Sequence, residues 1–359
     1  MSRLATATIH LDALRHNLAR IRDMAGEAKV MAVVKADGYG HGLERVARAL
    51  AGADAFGVAA IADGLRLRAA GHDQRIVVLS GPDSAADLAE MRRLKLEAVI
   101  HHDSQLDWLK ADAGEPLRVW LKVDSGMHRL GFPVERVAEV RAQLAAMPAV
   151  HDEVVFMTHF AASDEFDNAL TAQQIAAFRQ ATDGLPGPRA LSNSAAVLGW
   201  PAARGDWLRV GGLMYGLSVV AGQTGADFGF RPAMSLATRL IAINRLKAGQ
   251  RLGYAATWQA PEDMPVGVAA IGYGDGYPRS AVSGTPVLVH GHRAEIIGRV
   301  SMDLVTIDLR EVPQAAVGDA VTLWGPQLPV EHIADQAGTI SYELTCGMTR
   351  RVLFVEDDG

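Results

Sequence analysis

The stretch VKADGYGHG, residues 34–42, ends an apolar run on Lys35 and then sets Gly38, Gly40 and Gly42 around Tyr39 and His41. A strand-end lysine is most often a solvated turn residue. One held partly out of water has a lowered pKa and can serve as a general base near neutral pH. The glycines let the backbone turn sharply and approach something closely, and the rest of the chain decides between the two readings. LKVDSGMHRLGF places Lys122, Asp124 and Arg129 at or after another apolar run, and MTHFAASDE places His159 after a third. SNSAAVL and WLRVGGLMYGL add Asn193, Ser194, Arg209 and Gly211-Gly212. Each is weak alone. A lone strand-end histidine is usually structural, a glycine pair can be a bend, and an arginine in an apolar run must be paired if buried, which a structural ion pair would satisfy. Five strand ends carrying such residues together exceed what solvation explains. His101-His102-Asp103 has ligand-type side chains but no partner of motif quality elsewhere, so it reads as a polar loop and no metal is expected.

Strands must deliver these residues to one place. Apolar runs of strand length occur at 30–34, 56–60, 76–79, 98–100, 119–123, 154–157, 190–191 and 208–215. Between them lie stretches of helical periodicity such as 134–147 and 171–181. Alternating strands and helices imply a parallel sheet, and eight such units predict an N-terminal (β/α)₈ TIM-type barrel, whose chemistry sits at the C-terminal strand ends. An open doubly wound sheet is the alternative, but no G-x-G-x-x-G follows the first strand. Beyond residue 220 the texture changes to glycine- and proline-broken strands, which predicts a second, mostly β, C-terminal domain. The glycine-rich segment 219–232 marks the division, giving 1–222 and 223–359.

The 359 residues are too many for one ordinary core, consistent with two domains. Hydrophobic residues make up 49% and charged residues 21%, a globular composition. Net charge is −6 with no basic tract, which argues against a nucleic-acid partner. The single cysteine, Cys346, excludes an intrachain disulfide, points to a reducing compartment, and reads as a buried small hydrophobe more readily than as a nucleophile. No apolar stretch reaches the ~20 residues of a membrane span. The N-terminus lacks a signal-type apolar core, and its Leu11, Leu14, Leu18 and Ile21 fall at helical spacing. A cytoplasmic protein is expected.

VKADGYGHG, KVDSGMHRLG, THFAASD, SNSAAVL, LRVGGLMYGL, GYAATW, VAAIGYGDGYPR, GRVSMD and ISYE occur in the order seen in bacterial alanine racemases. The sequence thus resembles that family from about residue 4 to residue 352. The resemblance implies a pyridoxal 5′-phosphate (PLP) enzyme with a barrel and a C-terminal β domain, working as a homodimer on alanine as its small-molecule substrate. It also implies a role either in supplying D-alanine for peptidoglycan or in alanine catabolism.

The same resemblance implies the roles. Lys35 provides the amine to which PLP attaches and is the base for the D-isomer; Tyr254, reaching across from the other subunit, is the base for the L-isomer. Tyr39, Ser194, Tyr342 and the backbone N–H groups of Gly211 and Gly212 hold the phosphate. Arg209 faces the pyridine nitrogen, with His159 beneath it. An arginine keeps its proton, so the ring nitrogen stays largely unprotonated and transamination and decarboxylation are suppressed. Arg129 and the backbone N–H of Met302 contact the substrate carboxylate. Lys122 matches a lysine often carbamylated in the family, and Asp164, Tyr273, Arg279 and Arg299 match residues of the access corridor. Ser301, where some members have cysteine, and Arg350, where others have an apolar residue or tyrosine, depart from the pattern without removing a catalytic group. A basic-amino-acid decarboxylase would need a carboxylate where Arg209 stands, and a PLP carrier has no use for the β domain or Tyr254. A broad-specificity racemase of the same family is the remaining alternative.

Overall fold

The structure, a computed structural model, describes residues 5–359. Strand β1 (Thr6–His10) leads into the helix Leu11–Ala25, which buries Leu11, Leu14, Leu18 and Ile21 as their spacing predicts. There follow β2 (Lys29–Val33), β3 (Ala55–Val58), β4 (Arg75–Val78), β5 (Leu96–Ile100), β6 (Leu117–Asp124), a short β7 (Phe132–Pro133), β8 (Val150–Met157), β9 (Arg189–Ala190) and β10 (Trp207–Val210). Eight of them form one parallel sheet in the order β10-β2-β3-β4-β5-β6-β8-β9, with helices between successive strands. At the seam between the end strands, Arg209 N donates to Ser192 O at 3.0 Å, so the sheet closes into the expected barrel.

These strands are buried on both faces, which is why they read as continuous apolar runs. Met31, Ala55, Val77, Val99, Trp120, Val155, Met157, Ala190 and Trp207 fill the barrel, while Val30, Ala32 and their counterparts face the helices. At the N-terminal end the barrel is plugged. Trp120 packs edge-on to Trp207 at 5.4 Å and donates to Glu97 at 2.7 Å, and Glu97 is paired with Arg75. The other end is left to open as a mouth.

The predicted strand at 208–215 ends early. Gly211 leaves the extended region (φ −107°, ψ −94°), and Gly212–Tyr215 forms a 3₁₀ turn. In the second half, β11 (Met234–Leu246) pairs with Met264–Ala269 and Ala320–Trp324 in an otherwise antiparallel eight-stranded sheet. β1 joins this sheet too, antiparallel to β11 and parallel to Leu353–Asp357, so residues 6–10 belong to the β-domain sheet although they precede the barrel in sequence. Two short helices, Val330–Ala337 and Ser341–Cys346, lie against the barrel mouth. The approach is tight: a Cβ on Gly40 would sit 2.0 Å from Thr345 O. Among the described residues no helix is long and apolar enough to cross a membrane.

Candidate active site

The opening motif folds into a left-handed turn. Ala36, Asp37, Gly38 and Tyr39 all have φ between 52° and 63°. For residues with a Cβ this conformation costs on the order of 1–2 kcal/mol each, so the surroundings must hold it. Gly38 N donates to Val34 O, Gly40 N to Ala36 O and Gly42 N to Asp37 O, at 2.8–3.0 Å. Asp37 accepts from Leu43 N and from Arg66. The fully buried His41 uses Nδ1–H toward Gly38 O (3.1 Å) and Tyr39 O (2.9 Å), and burial pulls its pKa down to about 4. The turn swings Lys35 and Tyr39 out of the strand direction into a cavity of about 1020 Å³ at the barrel mouth.

One end of that cavity is a cradle. Tyr39 stacks on Tyr215 at 4.8 Å and meets Tyr342 edge-on at 5.6 Å, while the Tyr215 hydroxyl donates to Val33 O at the end of the strand that precedes Lys35. The Tyr39 and Tyr342 hydroxyls lie against the glycine pair. A Cβ on Gly211 would be 2.4 Å from the Tyr39 oxygen, and one on Gly212 2.3 Å from the Tyr342 oxygen. Gly211 N donates to Ser194 Oγ at 3.1 Å, and Ser194 opens a helix whose N-cap, Asn193, accepts from Ala196 N. Two hydroxyls, a serine and glycine backbone converge where only glycines fit, which suits a phosphate group. Burial raises both phenols, Tyr39 to about 12, so they remain protonated donors.

The other end gathers cations. Lys35, Lys122, Arg129 and Arg209 all line the cavity. Arg209 is buried, and its guanidinium donates to Ala190 O, Thr158 O and Leu191 O. An ion pair was one expectation for it; instead three carbonyls satisfy it, and among the described residues it has no carboxylate partner. Burial and then the charges of Arg209, Arg129, Lys122 and Lys35 depress His159 to about 3, leaving a neutral imidazole. Lys122 falls to about 8, through burial and then Arg209, Arg129 and Lys35. Lys35 is lowered as well, by burial and Arg129. Arg129 is carried by a loop that Asp124 organises, accepting from Gly126, Met127 and His128 N–H at 3.0 Å each.

Asp164 also lines the cavity. Tyr254, Tyr273, Arg279, Arg299 and Met302 do not. They lie in the β domain, exposed, Tyr254 to 68%, and none touches the cavity of its own chain. The structure thus divides the expected residues into a barrel set and a separate surface set. Cys346 corrects the sequence reading: it is exposed, not buried, and borders the cavity near Lys35, because the short helix that carries it caps the mouth. His102 caps the helix Asp103–Ala111 and His101 hydrogen-bonds with Ser80 O. No metal-ligating cluster of three forms among the described residues. Sequence reasoning assigned no role to Tyr215 or His41, although both lie inside the motifs.

Fold and cavity together define a (β/α)₈ barrel whose mouth sets a lysine beside a cradle of hydroxyls and glycine backbone, with a β domain attached. Residues 9–219 match the family description "Alanine racemase, N-terminal domain" and residues 233–355 "Alanine racemase, C-terminal domain". An alanine racemase of Shewanella baltica is 50% identical over 353 residues, 98% of this chain and 99% of that one; one of Nitrosococcus oceani is 51% identical over 350 residues, covering 96% and 97%. The crystal structure of the biosynthetic alanine racemase from Pseudomonas aeruginosa matches with TM-score 0.96 at 43% identity, covering 99% of this chain and all of that one. This chain belongs to the alanine racemase family.

Proposed function

We propose that the protein interconverts L- and D-alanine with PLP, in a homodimer whose two sites are each completed by the other subunit. The observation that carries the reading is the juxtaposition of the Lys35 amine with the cradle of Tyr39, Tyr342, Ser194, Gly211 and Gly212, beside an arginine satisfied by backbone carbonyls. When bound, PLP supplies a conjugated ring that withdraws electrons from the α-carbon of an attached amino acid.

This chain's residues do the rest. The cradle binds the phosphate and fixes the ligand's orientation. Arg209, held by three carbonyls, would offer the ring nitrogen a cation that keeps its proton, and the neutral His159 would add no charge to the ring. Arg129 attracts the substrate carboxylate, as does the Met302 backbone of the second subunit. Lys35, its pKa lowered, accepts or returns the α-proton on one face. Tyr254 of the other subunit serves the opposite face, which explains why a catalytic tyrosine lies exposed on an isolated chain. Tyr273, Arg279 and Arg299 from that subunit, with Asp164, form the corridor. Lys122, near half-neutral at pH 8, is able to take up CO₂ as a carbamate that faces Arg129. The division at 222/223 and a cytoplasmic site of action belong to the same reading.

Incubation with L-alanine in D₂O tests it. The product should be D-alanine carrying deuterium at the α-carbon; pyruvate, an amine or unexchanged L-alanine as the only species would reject it.

A further inference from the structure

The surface set is built on two separate segments, the 3₁₀ turn Tyr273–Asp275 and the loop 301–304, and both are tied to one side chain. Tyr273 N donates to Ser301 O at 3.1 Å and Gly274 N to Met302 O at 2.8 Å, so the segments already run edge to edge. They are pressed together: a Cβ on Gly272 would lie 2.2 Å from Ser301 O. Arg351 spans the pair. Its Nε lies 3.1 Å from Oδ1 of the fully buried Asp275, and an Nη donates to Asp303. Thr349 adds a brace, its hydroxyl donating to Gly274 O at 3.0 Å while its N–H donates to Asp275 O. Asp275 in turn accepts from Gly272 N at 3.0 Å, which closes the turn that carries Tyr273.

We infer that Arg351 is a positioning residue for substrate binding: it locks the Tyr273 turn to the Met302 loop so that the corridor and the carboxylate contact reach the second subunit as one rigid unit. The inference rests on the proposed placement of Tyr273 and Met302 at the partner's site. The physical basis is the planar guanidinium, whose fork can hold two carboxylates in fixed geometry where an ammonium cannot. Losing the lock frees the loop 301–304 without disturbing the barrel set that binds PLP. Interactions that hold substrate equally in the ground and transition states appear in KM and not in kcat.

Two variants of the PLP-bound enzyme test this. Asp303→Asn cuts one arm and leaves the buried Asp275 pair intact; Arg351→Lys keeps a cation for Asp275 but cannot span both partners. Both should retain the PLP absorbance and the melting temperature of the parent. The KM for either alanine isomer should rise about tenfold while kcat stays within about threefold, the split expected when uniform binding is lost. Amide hydrogen exchange should quicken at 301–304 and stay unchanged at 35–42. Unaltered exchange at 301–304 in both variants overturns the lock whatever the catalytic outcome, and so does a fall in kcat at constant KM. A parent enzyme that fails to racemise alanine rejects the proposed function instead, and the exchange measurement still decides the lock.

Discussion

Two crippled proteins should repair each other. Lys35→Ala removes the amine from the barrel set, and Tyr254→Phe removes a hydroxyl from the surface set; neither residue lines the same chain's cavity as the other. Each homodimer should lose the ~10²–10⁴-fold that a positioned base provides. Tyr254 is 68% exposed, so its phenylalanine variant should keep its stability within about 0.5 kcal/mol. Subunit exchange between equal amounts gives about half heterodimers, if association is random. In each heterodimer one site pairs the damaged barrel with the damaged β domain and is dead, whereas the other pairs an intact Lys35 with an intact Tyr254. One of two sites in half of the dimers predicts about a quarter of parental activity per subunit. The assay is steady-state racemisation after mild denaturant-assisted exchange, with heterodimer content measured by native mass spectrometry. Heterodimers that form and show no more activity than the separate homodimers would refute a site shared between subunits.

Arg209→Glu, which the ring-nitrogen role invites as a test, should fail to fold, because it places a carboxylate against Ala190 O, Thr158 O and Leu191 O. Arg209→Lys loses part of this set; at roughly 1.5–3 kcal/mol for each hydrogen bond to a charged group, urea titration should show a loss of about 3 kcal/mol, and an unchanged midpoint would contradict a stabilising role for the guanidinium's three carbonyl contacts. Stability of the PLP-free protein should climb as pH rises from about 8 toward 10.5: Lys122 is depressed to about 8 in the fold, so in that window the unfolded chain binds the extra proton. The pair of values sets a gain on the order of 3 kcal/mol, and Lys122→Met, compared with the parent by thermal melting in CO₂-depleted buffer, should lack it.

Local pattern was enough for much of this protein. Uninterrupted apolar runs mark strands buried on both faces, and alternation with helical periodicity leaves a parallel barrel as the economical solution, so the polar residues at 35, 122, 129, 159 and 209 had to gather at one mouth. Where sequence reasoning missed, longer-range packing was at work. The run at 208–215 stays apolar, yet the chain turns at Gly211 because the glycine pair must clear the Tyr39 and Tyr342 hydroxyls, a constraint set by residues far away in sequence. Cys346 has the composition of a core residue and an exposed position, because the helix beneath it docks on Gly40. β1 is five residues of ordinary strand, and its place between β11 and Leu353–Asp357 is set by pairing partners far along the chain. The pKa values of Lys122 and His159 likewise depend on four cations being brought around one cavity, a distance relation that no spacing along the chain expresses. The sequence determines which groups are available and which elements carry them. Their separations, their solvation and the exposure of Tyr254 are decided only when distant segments close on one another, since Coulombic and desolvation energies depend on distance through space.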